Sequence, residues 1–164
     1  MKAAVIYYSQ TGNTKEMAEQ IMKGICSVSD VEAQTFPIEQ IDAAYVQDCQ
    51  GIIIGTPTYD GSLSGAIKVW LEGVPEKYDL SGKLTGAFAT AAYVHGGGDI
   101  AVQSILSHLL FNGSLAYSGG RSYGSPVIHL GPVAIDSDLD AYAELFKIYG
   151  ERFAIQLKKL PSKN

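Results

Sequence analysis

Apolar runs and helix-spaced apolar positions alternate along this chain. Short apolar runs predict strands, whereas apolar residues three or four positions apart predict amphipathic helices. The run Gly51–Gly55 is apolar throughout, which is typical of a strand buried on both faces of a parallel sheet. The predicted strands are Ala3–Tyr8, Val31–Pro37, Gly51–Gly55, Leu84–Tyr93 and an interrupted fifth strand made of Leu115–Tyr117 and Val127–Leu130. The predicted helices are Thr14–Ser27, a short piece at Ala43–Asp48, Ser64–Glu72, Asp99–Phe111 and Leu139–Leu157.

This alternation of strands and helices predicts an α/β fold. Parallel strands joined by helical crossovers form a sheet with helices on both faces. We therefore expect a three-layer α/β/α sandwich with a five-stranded parallel sheet, for which the order 2-1-3-4-5 is the natural choice. The length of 164 residues and the lack of a linker or repeat indicate one domain at 1–160, followed by a tail at 161–164.

Composition and charge mainly argue against some classes of function. The net charge of −5 gives no basic surface for nucleic acid, and it is modest for a dedicated acidic electron carrier. No apolar run reaches the roughly 20 residues of a membrane span, and no signal segment is expected at the start. The two cysteines, Cys26 and Cys49, form no CxxC motif. They predict reduced thiols, packed as small buried side chains, in a cytoplasmic protein.

The most informative polar segment, Ser9–Thr14, lies between the first strand and the first helix. Its hydroxyl, amide and glycine residues would present backbone N–H groups and a helix N-terminus to one point, which is typical of a phosphate site. The segment has no Lys or Arg, so hydrogen bonds and the helix dipole would hold the phosphate. The alternative is a plain polar turn in which Asn13 caps the helix and Glu16 completes a capping box.

The spacing within this segment argues against the commoner phosphate loops. A nucleoside-triphosphatase loop needs a lysine at the helix start, and a dinucleotide fingerprint needs three glycines where this segment has only Gly12. The segment has no thiol for a cysteine phosphatase. Tyr8 and Ser9 stand where a receiver domain would need an acidic residue.

In sheets of this order, ligands bind beyond the carboxyl ends of the strands, where the strand order reverses. The loops after strands 1, 3 and 4 are therefore predicted to form one site. In the loop after strand 3, Asp60 and Gly61 suit a turn with positive φ. The loop after strand 4 ends in glycines at 96–98, which let the backbone approach a ligand closely.

Several motifs, taken in order, resemble known families. The pattern S-x-T-G-x-T at 9–14 resembles the FMN phosphate loop of flavodoxins. Thr-Pro-Thr at 56–58, His-Gly-Gly-Gly at 95–98 and Gly-Gly-Arg-Ser-Tyr-Gly-Ser at 119–125 resemble the WrbA-type NAD(P)H:quinone oxidoreductases, which are flavodoxin-like FMN proteins. The similarity touches nearly the whole chain, and the order and spacing of the motifs are more specific than any single one.

The resemblance implies a flavodoxin-like fold, FMN as cofactor, NAD(P)H as co-substrate and two-electron reduction of a quinone, in a homo-oligomer such as a dimer or tetramer. The first loop would hold the FMN phosphate, and the other two would border the isoalloxazine ring. No catalytic residue is assigned, although Tyr59 and His95 are candidates, and no metal ligand is expected. The implied cofactor-binding residues are Ser9, Gln10, Thr11, Gly12, Asn13, Thr14, Pro57, Thr58, Tyr59, Asp60, Gly61, Ala91, Ala92, Tyr93, His95, Gly96 and Gly97.

Other functions stay open. A flavodoxin-type carrier between protein partners is favoured by the short connection Ile38–Gln50 and by Phe111–Gly113, where the WrbA-type family often has His-His-Gly. A flavin-dependent regulatory adaptor would leave no trace in the sequence. Gly120–Gly124 matches the hydrolase motif G-x-S-x-G around Ser122, but Pro126 and a strand-like run follow where that motif needs a helix.

Overall fold

Strands and helices alternate along the chain, and the strands form one sheet with helices on both faces. The computed structural model describes residues 1–161. The strands are β1 (Lys2–Tyr7), β2 (Glu32–Pro37), β3 (Gly51–Tyr59), β4 (Ser62–Leu63), β5 (Leu84–Ala91), β6 (Leu115–Ala116) and β7 (Val133–Ile135). The helices are α1 (Asn13–Cys26), α2 (Ala43–Asp48), α3 (Gly65–Glu72), α4 (Val74–Lys77), α5 (Gly98–Phe111) and α6 (Asp140–Leu157). Within the described residues, no helix has the length and apolar character needed to cross a membrane.

The parallel strands follow the predicted order 2-1-3-4-5, in which β5 is the fourth predicted strand and β6 with β7 takes the place of the fifth. β1 lies between β2 and β3, with Val5 opposite Thr35 on one side and Ile53 on the other. β5 follows β3, and both β6 and β7 pair with the outer edge of β5. β6 pairs with the start of β5 and β7 with its end, so these two short strands share the fifth position. The expected fold class is confirmed, and β4 adds an antiparallel partner to β3.

The second half of the interrupted fifth strand was predicted in the wrong place. Val127–Leu130 is not a strand, and the pairing with β5 is made by Val133–Ile135 instead. Only Ile128 of the predicted segment is buried. Gly131, at φ +135, approaches the carbonyl oxygen of Ala87 so closely that a Cβ atom there would lie 2.2 Å from it. The chain therefore reaches the edge of β5 at Gly131, after the apolar run has ended, and pairing begins at Val133.

The two faces of the sheet have separate apolar cores. α1 and α6 cover one face, and α2, α3 and α5 cover the other. Alternate residues of β3 serve the two cores: Ile53 packs under α1 and α6, whereas Ile52 and Ile54 face α3 and α5. Because β3 is buried on both faces, its run of isoleucines needs no polar alternation.

α1 and α6 cross with their backbones in close contact at two glycines. A Cβ atom on Gly24 would lie 1.9 Å from the carbonyl oxygen of Lys147, and one on Gly150 would lie 2.1 Å from that of Ile21. The two glycines therefore set how closely α6 approaches the helix that begins at the polar segment 9–14.

Two smaller predictions have mixed outcomes. Cys49 is buried as predicted, and this burial raises the pKa of its thiol to about 12. The prediction of burial was wrong for Cys26, which is exposed because it occupies the last turn of α1 on the solvent side. The division into a domain at 1–160 and a tail stays a prediction, since 162–164 of that tail lie outside the described residues.

Candidate functional site

The first loop leads into a helix whose N-terminus has no side-chain cap. α1 begins after Gly12, which has φ +101, and no side chain accepts a hydrogen bond from its first turn. The alternative with Asn13 as capping residue is therefore wrong, because Gly12 occupies the cap position. The first N–H groups of a helix have no partner within it, so those at the start of α1 remain available for an anion.

This open end contrasts with the neighbouring helices. Asp42 caps α2 by accepting a hydrogen bond from the N–H of Tyr45, and Ser64 caps α3 in the same way from Ile67. α5 resembles α1, since it begins after Gly97 at φ +91 and has no side-chain cap. α4 and α6 also lack a side-chain cap, but α1 and α5 begin after a glycine with positive φ. α1 and α5 follow the loops after β1 and β5, where the sequence predicts the ligand.

One predicted residue of the first loop faces inward. Thr14 is 1% exposed, and its hydroxyl lies 2.9 Å from that of Thr90 in β5. The hydroxyl therefore fixes α1 to the sheet, and Thr14 can offer a ligand only its backbone N–H. Sequence reasoning missed Thr90 because it lies within an apolar strand, where nothing distinguishes it from a packing residue.

The segment predicted as a loop after strand 3 is instead a β-hairpin. β3 continues through Pro57 to Tyr59, and β4 pairs with it antiparallel. The turn consists of Asp60 and Gly61, at φ +49 and φ +79, as expected for a two-residue hairpin turn. The end of this strand was predicted too early, because a proline within an apolar run argues against pairing. In the structure Pro57 is part of β3 and lies beside Thr90 of β5.

The hairpin and the first loop meet at Tyr59. Its hydroxyl donates a hydrogen bond to Gln10 Oε1 at 3.2 Å, and its side chain is 41% exposed. Partial burial raises the pKa of the Tyr59 phenol, with smaller contributions from Tyr8 and Asp136. The phenol is therefore protonated at neutral pH and can keep donating to Gln10. Next to it, the Thr58 hydroxyl is buried and has no hydrogen-bond partner.

The loop between β5 and α5, residues 92–97, is called the glycine loop here, and it contacts the hairpin directly. A Cβ atom on Gly97 would lie 2.2 Å from the carbonyl oxygen of Gly61, so only glycine fits at this contact. Tyr93, at the start of the loop, is 77% exposed. The loop therefore holds the hairpin in place with its backbone and presents an aromatic ring to solvent.

Between these loops lies a cleft of about 610 Å³, within the usual size range of small-molecule sites. The hairpin contributes one side of it and the strand end at Ala91 with Tyr93 the other. The lining residues are Gln10, Thr58, Tyr59, Asp60, Gly61, Ala91, Ala92, Tyr93 and Gly96. The structure thus brings together much of the predicted site.

The remaining predicted residues lie around this cleft. The rest of 9–14 forms the adjoining first loop, and Pro57 is buried in β3. His95 and Gly97 line a neighbouring cavity of about 460 Å³, which also includes Asp99 and Val133. No motif pointed to Val133, because its strand was predicted elsewhere. Ser122, the hydrolase candidate, lies in a short 3-10 turn at Arg121–Tyr123 with no helix directly after it, which argues against that motif.

An uncapped helix next to a cleft at the carboxyl ends of β1, β3 and β5 defines the class: a flavodoxin-like α/β protein. The chain belongs to the NADPH-dependent FMN reductase family, whose pattern matches residues 1–125. It is 39% identical over 160 residues to a flavodoxin of Clostridium saccharobutylicum, covering 98% of this chain and 99% of the relative.

Two further proteins are similar to the chain. An NAD(P)H dehydrogenase (quinone) of Cupriavidus metallidurans is 30% identical over 157 residues, covering 82% of this chain and 76% of that protein. The crystal structure of a flavodoxin, a WrbA-like protein from Agrobacterium tumefaciens, superposes with a TM-score of 0.79 at 23% identity, covering 96% of this chain and 98% of that one. This structural likeness supports the flavodoxin-like fold.

Proposed function

We propose that the chain is an NAD(P)H-dependent oxidoreductase that binds FMN and uses this cofactor to reduce quinones. The observation that carries the proposal is the uncapped N-terminus of α1 beside a cleft lined by Tyr59 and Tyr93. Membership of a family described as NADPH-dependent FMN reductases supports both the cofactor and the electron donor. The similarity to an NAD(P)H dehydrogenase (quinone) supports the acceptor.

The residues present fit the parts of FMN. The first loop offers helix N–H groups and open space at Gly12, where a Cβ atom would meet no heavy atom within 4 Å. This arrangement suits a phosphate. The cleft offers aromatic side chains to a planar ring, and Thr58 is among its lining residues.

Bound FMN would supply the two-electron chemistry, and the chain's residues would position it. The hydrogen bond from Tyr59 to Gln10 would hold the hairpin against the phosphate loop. The Gly97–Gly61 contact would fix the distance between the two loops that border the ring. Tyr59 and His95 remain candidates for contact with a substrate. The free thiols of Cys26 and Cys49 support a cytoplasmic location, and a dimer or tetramer stays a prediction.

A flavodoxin-type carrier of single electrons is the second candidate. It is favoured by the 39% identity to a protein named flavodoxin, which covers nearly the whole of both chains. The two candidates differ in what reduces the bound cofactor. A reductase accepts hydride from NAD(P)H, whereas a carrier is reduced by a protein partner.

The test is an anaerobic visible spectrum of the FMN-loaded protein during titration with NADPH and, separately, NADH. Rapid loss of the yellow absorbance, followed by its return on adding a quinone, is the expected result. A yellow protein that ignores both nucleotides but forms a stable semiquinone with dithionite would favour the carrier. A protein that does neither would favour the regulatory adaptor.

We expect Asp60→Asn to raise the midpoint potential of the bound cofactor. Asp60 is exposed in the hairpin turn and lines the cleft, and its negative charge disfavours an anionic reduced cofactor. Removing one exposed charge from the lining of the cleft should raise the potential by roughly 20–40 mV, the equivalent of about 0.5–1 kcal/mol for one electron. Spectroelectrochemical titration measures the change.

Asp30→Asn is the matched control, because Asp30 is also exposed and also has a positive φ, of 64°. It lies at the opposite end of the sheet, beside Met1, and its substitution should leave the potential unchanged. An unchanged or lower potential in Asp60→Asn would refute the role of this carboxylate.

A further inference from the structure

An apolar pocket of about 300 Å³ lies under the segment between β6 and β7. Its buried residues are Val102 of α5 together with Ile128 and Pro132 of that segment. Val127 and Leu130 also line it, and they are 43% and 42% exposed. Exposed aliphatic side chains grouped around a pocket are typical of a place where a ligand binds.

This pocket continues into the proposed cofactor site. Asp99 and Val133 line both the pocket and the neighbouring cavity at the glycine loop. That cavity in turn shares Gly61 and Gly96 with the cleft beside Tyr59. The three cavities therefore lie in a row, here called the trough, with aromatic and polar residues at the cleft end and aliphatic residues at the other.

The charges along the trough limit its ligands. Asp60 lines the cleft and Asp99 lies where the glycine-loop cavity meets the apolar pocket. Among the described residues, none that lines the three cavities is Lys or Arg, whereas His95 lines the glycine-loop cavity and His129 lines the apolar pocket. A fatty-acid carboxylate or a phospholipid phosphate would therefore meet carboxylates with no lysine or arginine to offset them. The trough suits a molecule with an uncharged polar ring at one end and an aliphatic chain at the other.

We propose that the apolar pocket binds the aliphatic side chain of an alkyl- or prenyl-substituted quinone whose ring lies in the cleft. This proposal rests on the quinone reduction proposed above and names the class of quinone. A cavity of about 150 Å³ holds a molecule of benzene size, so the pocket can hold on the order of ten carbon atoms. Covering Val127 and Leu130 would remove exposed apolar surface from water.

The test compares two benzoquinones that differ only in a decyl chain. Their dissociation constants are measured by calorimetry with the oxidised, FMN-loaded protein and no electron donor, and again without FMN. We expect the decyl compound to bind tighter by about tenfold or more, because each buried methylene contributes roughly threefold to fourfold.

Leu130→Gln should remove most of this gain. The control is Leu110→Gln, which makes the same change at another exposed leucine, near the far end of α5 from the glycine loop. Leu110→Gln should keep the full preference for the decyl compound. Because both leucines are exposed, loss of folding is not expected from either substitution.

Three outcomes would overturn the proposal. The first is equal affinity for the two quinones, and the second is a chain-length gain that survives in Leu130→Gln. The third is a parent protein that sediments as a dimer and becomes monomeric in Leu130→Gln, since a second copy would then cover the pocket.

Turnover with NAD(P)H separates this proposal from the function on which it rests. Chain-dependent binding without quinone reduction would retain the pocket and reject the reductase. Reduction of both quinones with no dependence on the chain would retain the reductase and reject the pocket.

Discussion

Gly97→Ala is expected to weaken FMN binding by about a hundredfold, the equivalent of roughly 2.8 kcal/mol. The new Cβ atom would lie 2.2 Å from the carbonyl oxygen of Gly61 and 2.5 Å from its carbonyl carbon. Both atoms belong to the backbone of the hairpin turn, so no side chain can move aside to relieve the contact. The glycine loop and the hairpin must separate, and these are the two loops that border the cleft.

The backbone conformation of Gly97 adds a second free-energy cost to the substitution. Its φ of +91 lies in a region that side-chain-bearing residues avoid at about 1–2 kcal/mol. Gly82→Ala isolates this cost, because Gly82 has φ +69 but open space around its Cβ position. We expect Gly82→Ala to lower the melting temperature while leaving FMN affinity unchanged, as measured by fluorescence titration. Similar FMN affinity in Gly97→Ala and the parent would show that the contact with Gly61 does not shape the cofactor site.

Gly24→Ala is expected to reduce the free energy of unfolding by about 3 kcal/mol, at the upper end of what overpacking in a core costs. The added methyl group would lie 1.9 Å from the carbonyl oxygen of Lys147 and 2.9 Å from the backbone nitrogen of Glu151. α6 would have to move away from α1 along its length. The gain of about 1 kcal/mol that alanine usually brings to a helix is too small to offset this.

The control for Gly24→Ala is the same substitution at Gly65, the first residue of α3. Its Cβ position has no heavy atom within 4 Å, so alanine should stabilise the protein or leave it unchanged. Urea unfolding of both variants measures the difference, and the melting temperature of Gly24→Ala should fall by roughly 10 °C. Equal stability of the two variants would mean that α1 and α6 do not pack as closely as the structure has them.

The sequence predicted the fold well where the pattern has a direct physical cause. The isoleucine run at 52–54 had to be buried on both faces, and it lies buried near the start of β3. Val127–Leu130 shows where such reasoning fails. An apolar run indicates burial or contact with other apolar groups, but it does not indicate which backbone groups form hydrogen bonds. Here the pairing moved to Val133–Ile135, because Gly131 and the carbonyl of Ala87 decide where the chain meets the sheet.

The candidate site was predictable to a similar extent. The glycine loop and the turn at Asp60 were recognisable because few residues adopt positive φ, and both lie at the cleft. The contact between Gly97 and Gly61 was not predictable, since it depends on the distance between two loops that are far apart in sequence. The link between Thr14 and Thr90 was hidden for the same reason.

The interrupted fifth strand also decides how this edge of the sheet meets other chains. An exposed strand edge is a template for edge-to-edge aggregation. β6 covers the edge of β5 at its start and β7 covers it at its end, which leaves only residues 86–88 between them. The backbone of Gly131 lies against the carbonyl of Ala87 within that gap. A foreign strand would find no run of free backbone groups long enough to pair with β5, and it would meet only the two short strands β6 and β7 at this edge.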